Sequence, residues 1–321
     1  MKRINLFTGS LLIIALSGFL FTGCKKDKDD SDAAAEQVQQ ETNATDESRV
    51  AASDDEVSDD ANRIIAMHPR LRGINYQGIY TGITIPCGAT VDTTLIAQGQ
   101  VTVTYNGANC SGTRTRTGSI VLQLPYDAGT GVVTPWSDAG STFTITYNAF
   151  QVTSVNTGKS LTFNGTRVIT NVSGGLVDAS STFATPIVHH VTGTMQMTFD
   201  NGTTRTWNID RTRTIARTTG VTTITITGNA TQGGYSNVGI WGTNRLGNSF
   251  YVTIDSPVVL TSTCDFNAVS GIRIHHGVIR ELTVTYGVDQ LGNVVTGTCP
   301  YGFKLNWIDR NGNPKQAVIS Y

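Results

Sequence analysis

Seven stretches of the chain alternate an apolar residue with threonine or another polar or small one: VTVTY (101–105), FTITY (143–147), LTFNGTRVIT (161–170), VTGTMQMTF (191–199), TTITITG (222–228), FYVTI (250–254) and LTVTY (282–286). A period of two places every second side chain on the same face of an extended strand, so each run has one face to bury and one to wet. Between the runs stand Asn106-Gly107, Asn164-Gly165, Asp200-Asn201-Gly202, Leu246-Gly247-Asn248 and Arg310-Asn311-Gly312. These residues tolerate the positive φ that tight hairpin turns require. The expectation is an all-β body of antiparallel sheets, a sandwich or an extended meander of roughly 12–14 strands. The 34 glycines argue against a helical alternative.

Charge divides the chain in two. Residues 25–62 contain 13 acids and 4 bases, whereas residues 63–321 contain 11 acids and 17 bases, so the net charge of −1 is a cancellation. The acidic segment has no aromatic residue and too little apolar surface to offset chain entropy, so it reads as a disordered tether. Helical spacing of Val50, Ala51, Val57 and Ala61 suggests a helix near its end, with His68-Pro69 as the stop. The division expected is 1–23 export signal, 24–62 acidic tether and 63–321 β-rich body.

The N-terminus carries the export signal. Lys2 and Arg3 precede an apolar stretch from Leu6 to Phe21, the layout of a signal peptide and too short for a confident membrane span. Phe21-Thr22-Gly23-Cys24 resembles a bacterial lipobox, in which the cysteine thiol becomes the site of lipid attachment. The acids that follow Cys24 resemble a surface-export signal of lipoproteins in the Bacteroidota; the other reading of them is a solvated linker on a protein that faces the periplasm.

Four cysteines then remain: Cys87, Cys110, Cys264 and Cys299. An exported chain meets an oxidising compartment, and four cysteines allow three pairings. Cys87 leads into the strand ending VTVTYNGANC and Cys264 into LTVTYGVDQLGNVVTGTC, so both ends of the body share an order of cysteine, strand, Thr-Tyr and cysteine. This order pairs Cys87 with Cys110 and Cys264 with Cys299 and suggests an internal repeat.

The lipobox with its acidic segment, NGTRVITN (164–171), DNGTTRTWNIDRTRTIAR (200–217) and the closing half with Cys264, LTVTYG and Cys299 together resemble β-rich outer-membrane lipoproteins of the Bacteroidota. The resemblance implies a lipid-anchored outer-membrane location, with the cell surface as the expected side, and a β-rich architecture. It implies no activity.

Catalytic signals are few. No GxSxG elbow, HExxH or zinc-type Cys/His spacing occurs, and the body's 11 acids are scattered. No catalytic residue, cofactor or metal is therefore expected. The histidine doublets His189-His190 and His275-His276 each offer one imidazole to each side of a strand.

Basic residues alternate with threonine instead. Arg114 and Arg116 share one strand face, as do Arg205, Arg211 and Arg213, and 14 of the 17 bases in the body are arginine. Guanidinium groups suit carboxylate, sulfate or phosphate, so this stripe is a candidate surface for anionic glycans or lipid head groups; the competing reading is a solvated sheet face. Tyr235 and Trp241, in the glycine-rich segment 232–250, are candidates for stacking on sugar faces. The functional expectation is a non-enzymatic binding or structural lipoprotein whose partners are the membrane, through its lipid, and a polysaccharide or protein. The alternative is a carbohydrate-active enzyme or a glycan-capture accessory protein. Nucleic acid is not an expected partner of an exported chain.

Overall fold

The structure, a computed structural model, describes residues 28–73, 85–177, 185–244, 246–264, 266–277 and 280–321, with the backbone alone for 28–34 and Ser48. The expected export signal and Cys24 lie outside these residues.

Helix α1 runs Lys28–Met67 and is 40 residues long, about 60 Å at 1.5 Å per residue. A single turn, α2 (Pro69–Arg72), follows. The strands are β1 (Ala89–Asp92), β2 (Gln100–Ala108), β3 (Arg114–Gln123), β4 (Tyr126–Asp127), β5 (Val132–Val133), β6 (Ser141–Ser154), β7 (Ser160–Asn171), β8 (Ile187–Phe199) and β9 (Thr204–Thr218). They continue as β10 (Val221–Gly228), β11 (Ala230–Gln232), β12 (Tyr235–Thr243), β13 (Ser249–Thr261), β14 (Ala268–His276), β15 (Leu282–Val288), β16 (Gly302–Ile308) and β17 (Pro314–Ser320).

The expected all-β, antiparallel body is present, and it is a meander. The main sheet runs β1-β2-β3-β6-β7-β8-β9-β10-β13-β14-β15-β16-β17. One place in that order is shared: β10 pairs the second half of β9 with the end of β13, while β12 pairs Trp207–Ile209 with the first half of β13. Three of the five expected turns form, at 200–202, 246–248 and 310–312. Asn106-Gly107 and Asn164-Gly165 lie instead inside β2 and β7, where the glycine serves a close backbone approach and not a turn. Asp289 and Asp309 each accept two backbone N–H bonds through Oδ1, from Leu291 and Asn293 and from Asn311 and Asn313. Gly292 and Gly312 supply the positive φ of about 80° that such turns need.

The sheet curls around α1. In the middle of β7, Gly165 has a φ of +126°, and a Cβ there would lie 2.5 Å from the Thr194 carbonyl oxygen on β8. Only glycine allows the two strands this approach. Inward-facing Val103, Tyr105, Phe143, Tyr147, Phe150 and Phe163 pack in one cluster with Val50, Val57, Ala61, Ile64 and Ile65 of the helix. A second cluster joins Ala44 to β13–β16 through Leu282, Val284, Phe303 and Leu305. At roughly 25 cal/mol per Å² of apolar surface, burial of this kind dominates the stability of the fold.

The tether expectation is corrected here. From residue 44 to 66 the helix is buried on several sides, including Asp46, Glu47, Ser53, Asp54, Ser58, Asp60 and Asn62. A segment polar all round is not a stable helix in water. This one is a helix because the sheet encloses it and answers its charges. The body therefore begins within the acidic segment and not at residue 63.

Both disulfides form as expected, Cys87 with Cys110 and Cys264 with Cys299. The first closes the chain around the β1–β2 pair and the second around the β14–β15 pair.

Candidate functional site: a buried ionic cage and an outer groove

Alternation places Arg205, Trp207, Ile209, Arg211, Arg213 and Ile215 of β9 on the inward face, all buried. Arg116 on β3 and Arg167 on β7 face the same way, at 2% and 0% exposure. Each guanidinium meets the helix. Glu47 takes Arg205, together with the Trp207 indole N–H at 3.1 Å. Asp54 takes Arg167 and also Arg211 at 3.1 Å, and it accepts the Tyr147 hydroxyl at 3.0 Å. Asp55 takes Arg211 at 2.5 Å, and Asp59 takes Arg213 at 3.5 Å. On the other side, Glu56 reaches Arg114 and Arg116, both at 3.3 Å, and Asp60 holds Arg116 at 2.7 Å with the Tyr105 hydroxyl at 3.1 Å. Successive helical residues lie 100° apart, so Asp54, Asp55 and Glu56 point to different strands of the curled sheet.

Aromatic rings line this cage. Arg116 sits over Tyr105 at 4.5 Å, Arg205 over Phe250 at 4.6 Å and Arg167 over Trp207 at 5.2 Å, contacts that favour the cation where water is excluded. The protein packed around Asp59 and the nearby Asp55 push its carboxyl upward against Arg213, an effect that its one-third exposure tempers. Burial likewise raises Asp60, against the pull of Arg116. Arg167 holds its proton less tightly than usual, because it is buried and has Arg211 and Arg213 as neighbours.

The expected anion-binding stripe is thereby corrected. Arg116, Arg205, Arg211 and Arg213 are buried and occupied by the chain's own carboxylates, and Arg114, about one-third exposed, is held by Glu56. The signal missed was the company these arginines keep. On β9 they share parity with Trp207, Ile209 and Ile215, which marks the inward face.

The histidine doublets divide as a strand requires. His189 turns inward beside Trp136, at 5.2 Å, and burial lowers its pKa to about 3. His275 also turns inward, and burial lowers it to about 4. His190 faces outward and contacts Asp210 at 2.7 Å. Among the described residues, no group of three or more His, Cys, Asp or Glu side chains is placed to hold a metal ion.

The outer face carries a different feature. Trp241, Tyr251 and His276 are direct cross-strand partners on β12, β13 and β14 and so lie on one face. The hairpin between β11 and β12 folds back over them. Tyr235 stacks on His276 with ring centroids 3.8 Å apart and planes 14° apart, and lies 6.0 Å from Tyr251. The imidazole is fixed from both nitrogens, by Glu281 at 3.1 Å and the Thr253 hydroxyl at 3.2 Å. Beside this stack opens a groove of about 310 Å³, lined by Tyr235, Ser236, Asn237, Thr253, Asp255 and His276 among others.

Irregular pairing makes the groove. Register shifts occur between Val238 and Ile240 on β12 and between Ile254 and Ser256 on β13, and Asn237 has a φ of +56°. Bulges and left-handed non-glycine residues concentrate where a sheet departs from regularity for a purpose. Of the sequence candidates, Tyr235 lines the groove, and Trp241 lies on the same outer surface, across from Tyr251. Asp255 is the one acid among the lining residues, whereas glycoside hydrolysis uses two facing carboxylates.

No family model, no curated protein and no solved structure matches this chain.

Proposed function

We propose that this chain is an exported, lipid-anchored outer-membrane protein of the Bacteroidota type, which acts without catalysis as a binding or structural module on the cell surface. The lipobox around Cys24 supports the anchor, and the two disulfides suit an oxidising compartment. The observation that carries the binding part is the filling of the concave face. Because α1 occupies it and satisfies its arginines, a partner meets the outer face, where the groove beside Tyr235 lies.

Metabolic labelling with a fatty acid tests the anchor. The wild-type chain is expected to take up label in the membrane fraction, and Cys24→Ala to accumulate as an unlabelled precursor; labelling of that variant would contradict the proposal. Protease added to intact cells tests the side. Digestion of the wild type, lost when Asp27, Asp29 and Asp30 are all replaced by alanine, is the expected result. A wild-type body resistant to protease would place it in the periplasm.

A further inference from the structure

The geometry points to the groove beside Tyr235 as a binding site for a neutral pyranose sugar, with the apolar face of the sugar ring on the tyrosine and its hydroxyls on Asp255 and Asn237. This inference rests on the binding-module reading above and names the ligand class of that surface. It does not depend on the lipid anchor.

Three observations carry it. The first is a platform held rigid. Tyr235 is fixed through one ring face by His276, itself anchored by Glu281 and Thr253, yet the residue remains 38% exposed. A pre-organised aromatic ring loses little entropy when a second flat apolar surface covers it. The second is the polar rim. Asp255, Asn237 and Ser236 are exposed around the groove, and a carboxylate with an amide and a hydroxyl supplies the acceptors and donors that vicinal hydroxyl groups need. The third is charge: the lining residues include one carboxylate and no lysine or arginine. An anionic sugar would meet Asp255 without a counter-charge, whereas a neutral one would not. The arginines whose chemistry suits an acidic glycan are turned inward to the helix.

The test uses the purified full-length chain and methyl pyranosides of glucose, galactose, mannose and N-acetylglucosamine, with glucuronic acid as the charged counterpart. Saturation-transfer NMR reports which ligand hydrogens touch protein, and titration gives the affinity. At least one neutral pyranoside is expected to bind with a Kd on the order of 1 mM, as suits a dozen heavy atoms in an open groove. Its C–H hydrogens on one ring face are expected to receive most of the saturation.

Tyr235→Ala is expected to weaken binding about tenfold, Tyr235→Phe to keep it, and Asp255→Asn to weaken it while narrowing the gap between glucose and glucuronic acid. Tyr126→Ala, at an exposed tyrosine on β4, is the control that should change nothing. If the Tyr235→Ala variant fails to fold by circular dichroism, Asp255→Asn decides. Failure of all four neutral sugars to bind, tighter binding of glucuronic acid, or undiminished affinity in the folded Tyr235→Ala and Asp255→Asn variants would overturn the sugar assignment. Loss of fatty-acid label would strike only the anchor, so the two failures are distinguishable.

Discussion

On β9 the odd-numbered side chains from Arg205 to Ile215 turn inward, and the even-numbered ones from Thr206 to Thr214 turn outward. The inward set carries three arginines into the buried interior, while the outward set of threonine, asparagine and aspartate stays partly exposed. Charge on this strand is thus concentrated on the covered face. A period of two assigns residues to faces but does not say which face is covered. Here the decision is made by a second segment of opposite charge. Glu47, Asp54, Asp55, Glu56, Asp59 and Asp60 of the acidic segment and the inward arginines of the body are the two halves of one network.

The largest expected effect comes from breaking that network at its centre. Asp54→Ala leaves Arg167 and Arg211 buried without their shared carboxylate, which should cost about 3–5 kcal/mol of unfolding free energy. Denaturant titration measures it, and a loss below about 1 kcal/mol would mean that the cage contributes little. Adding Arg167→Met to Asp54→Leu should recover part of the loss, because it removes the buried charge that has lost its carboxylate while Arg211 keeps Asp55.

Next come the clips at the two ends of the sheet. Each closes a loop, with sequence separations of 23 and 35 residues, so replacing both cysteines of either pair should lower stability by about 3 kcal/mol. Thermal unfolding of the two double variants checks this. Equal stability with and without reductant would show that the bonds do not constrain the chain.

A smaller effect separates the faces by pH. His189 is buried with neither ring nitrogen hydrogen-bonded, and its pKa falls to about 3 from the ordinary 6.5. Below 6.5 the unfolded chain takes up a proton that the folded chain refuses, so this residue's contribution to stability is complete above that value and is lost as pH falls toward about 3. Near pH 5 the loss is about 2 kcal/mol. His275, lowered to about 4, acts in the same sense. Asp59, raised in direction but one-third exposed, opposes this weakly, since the folded chain takes up its proton before the unfolded chain does. His189→Phe should therefore unfold at higher denaturant than the wild type near pH 5 and show a flatter stability profile between pH 7 and pH 5. An unchanged slope would contradict the burial of a neutral imidazole.

The smallest effect belongs to the outer face. His190 and Asp210 are partly exposed, so Asp210→Asn should change stability by less than about 1 kcal/mol and more weakly still in high salt. A loss comparable to that of Asp54→Ala would erase the distinction between the faces.

The strands were legible because alternation is local, and the cysteine pairs because each flanks a hairpin; the turns were legible only in part, since Asn106-Gly107 and Asn164-Gly165 read as turns and lie inside β2 and β7. The enclosure of α1 was not legible by the same means. Asp54 and Arg167 are far apart in sequence, and a helix with acids on several sides resembles a solvated segment until the sheet that surrounds it is known. The parity of Arg211 with Ile209 and Ile215 was the available clue. In the outer groove, Tyr235 could be picked out as an aromatic residue among glycines. Asp255 and Asn237 could not, and the His275-His276 doublet gave no sign of them, since bulges in β12 and β13 bring these residues together and no motif marks a bulge.

Native-state hydrogen exchange of the helix is the most direct measurement of the central claim, that the acidic segment is an internal part of the body. If α1 is enclosed, the amides of residues 50–66 should exchange as slowly as those in the centres of β7 and β9, through opening of the whole fold, and should lose that protection in Asp54→Ala. Exchange of residues 50–66 at the rate of an unfolded chain, while β7 and β9 remain protected, would show that the segment is a tether after all.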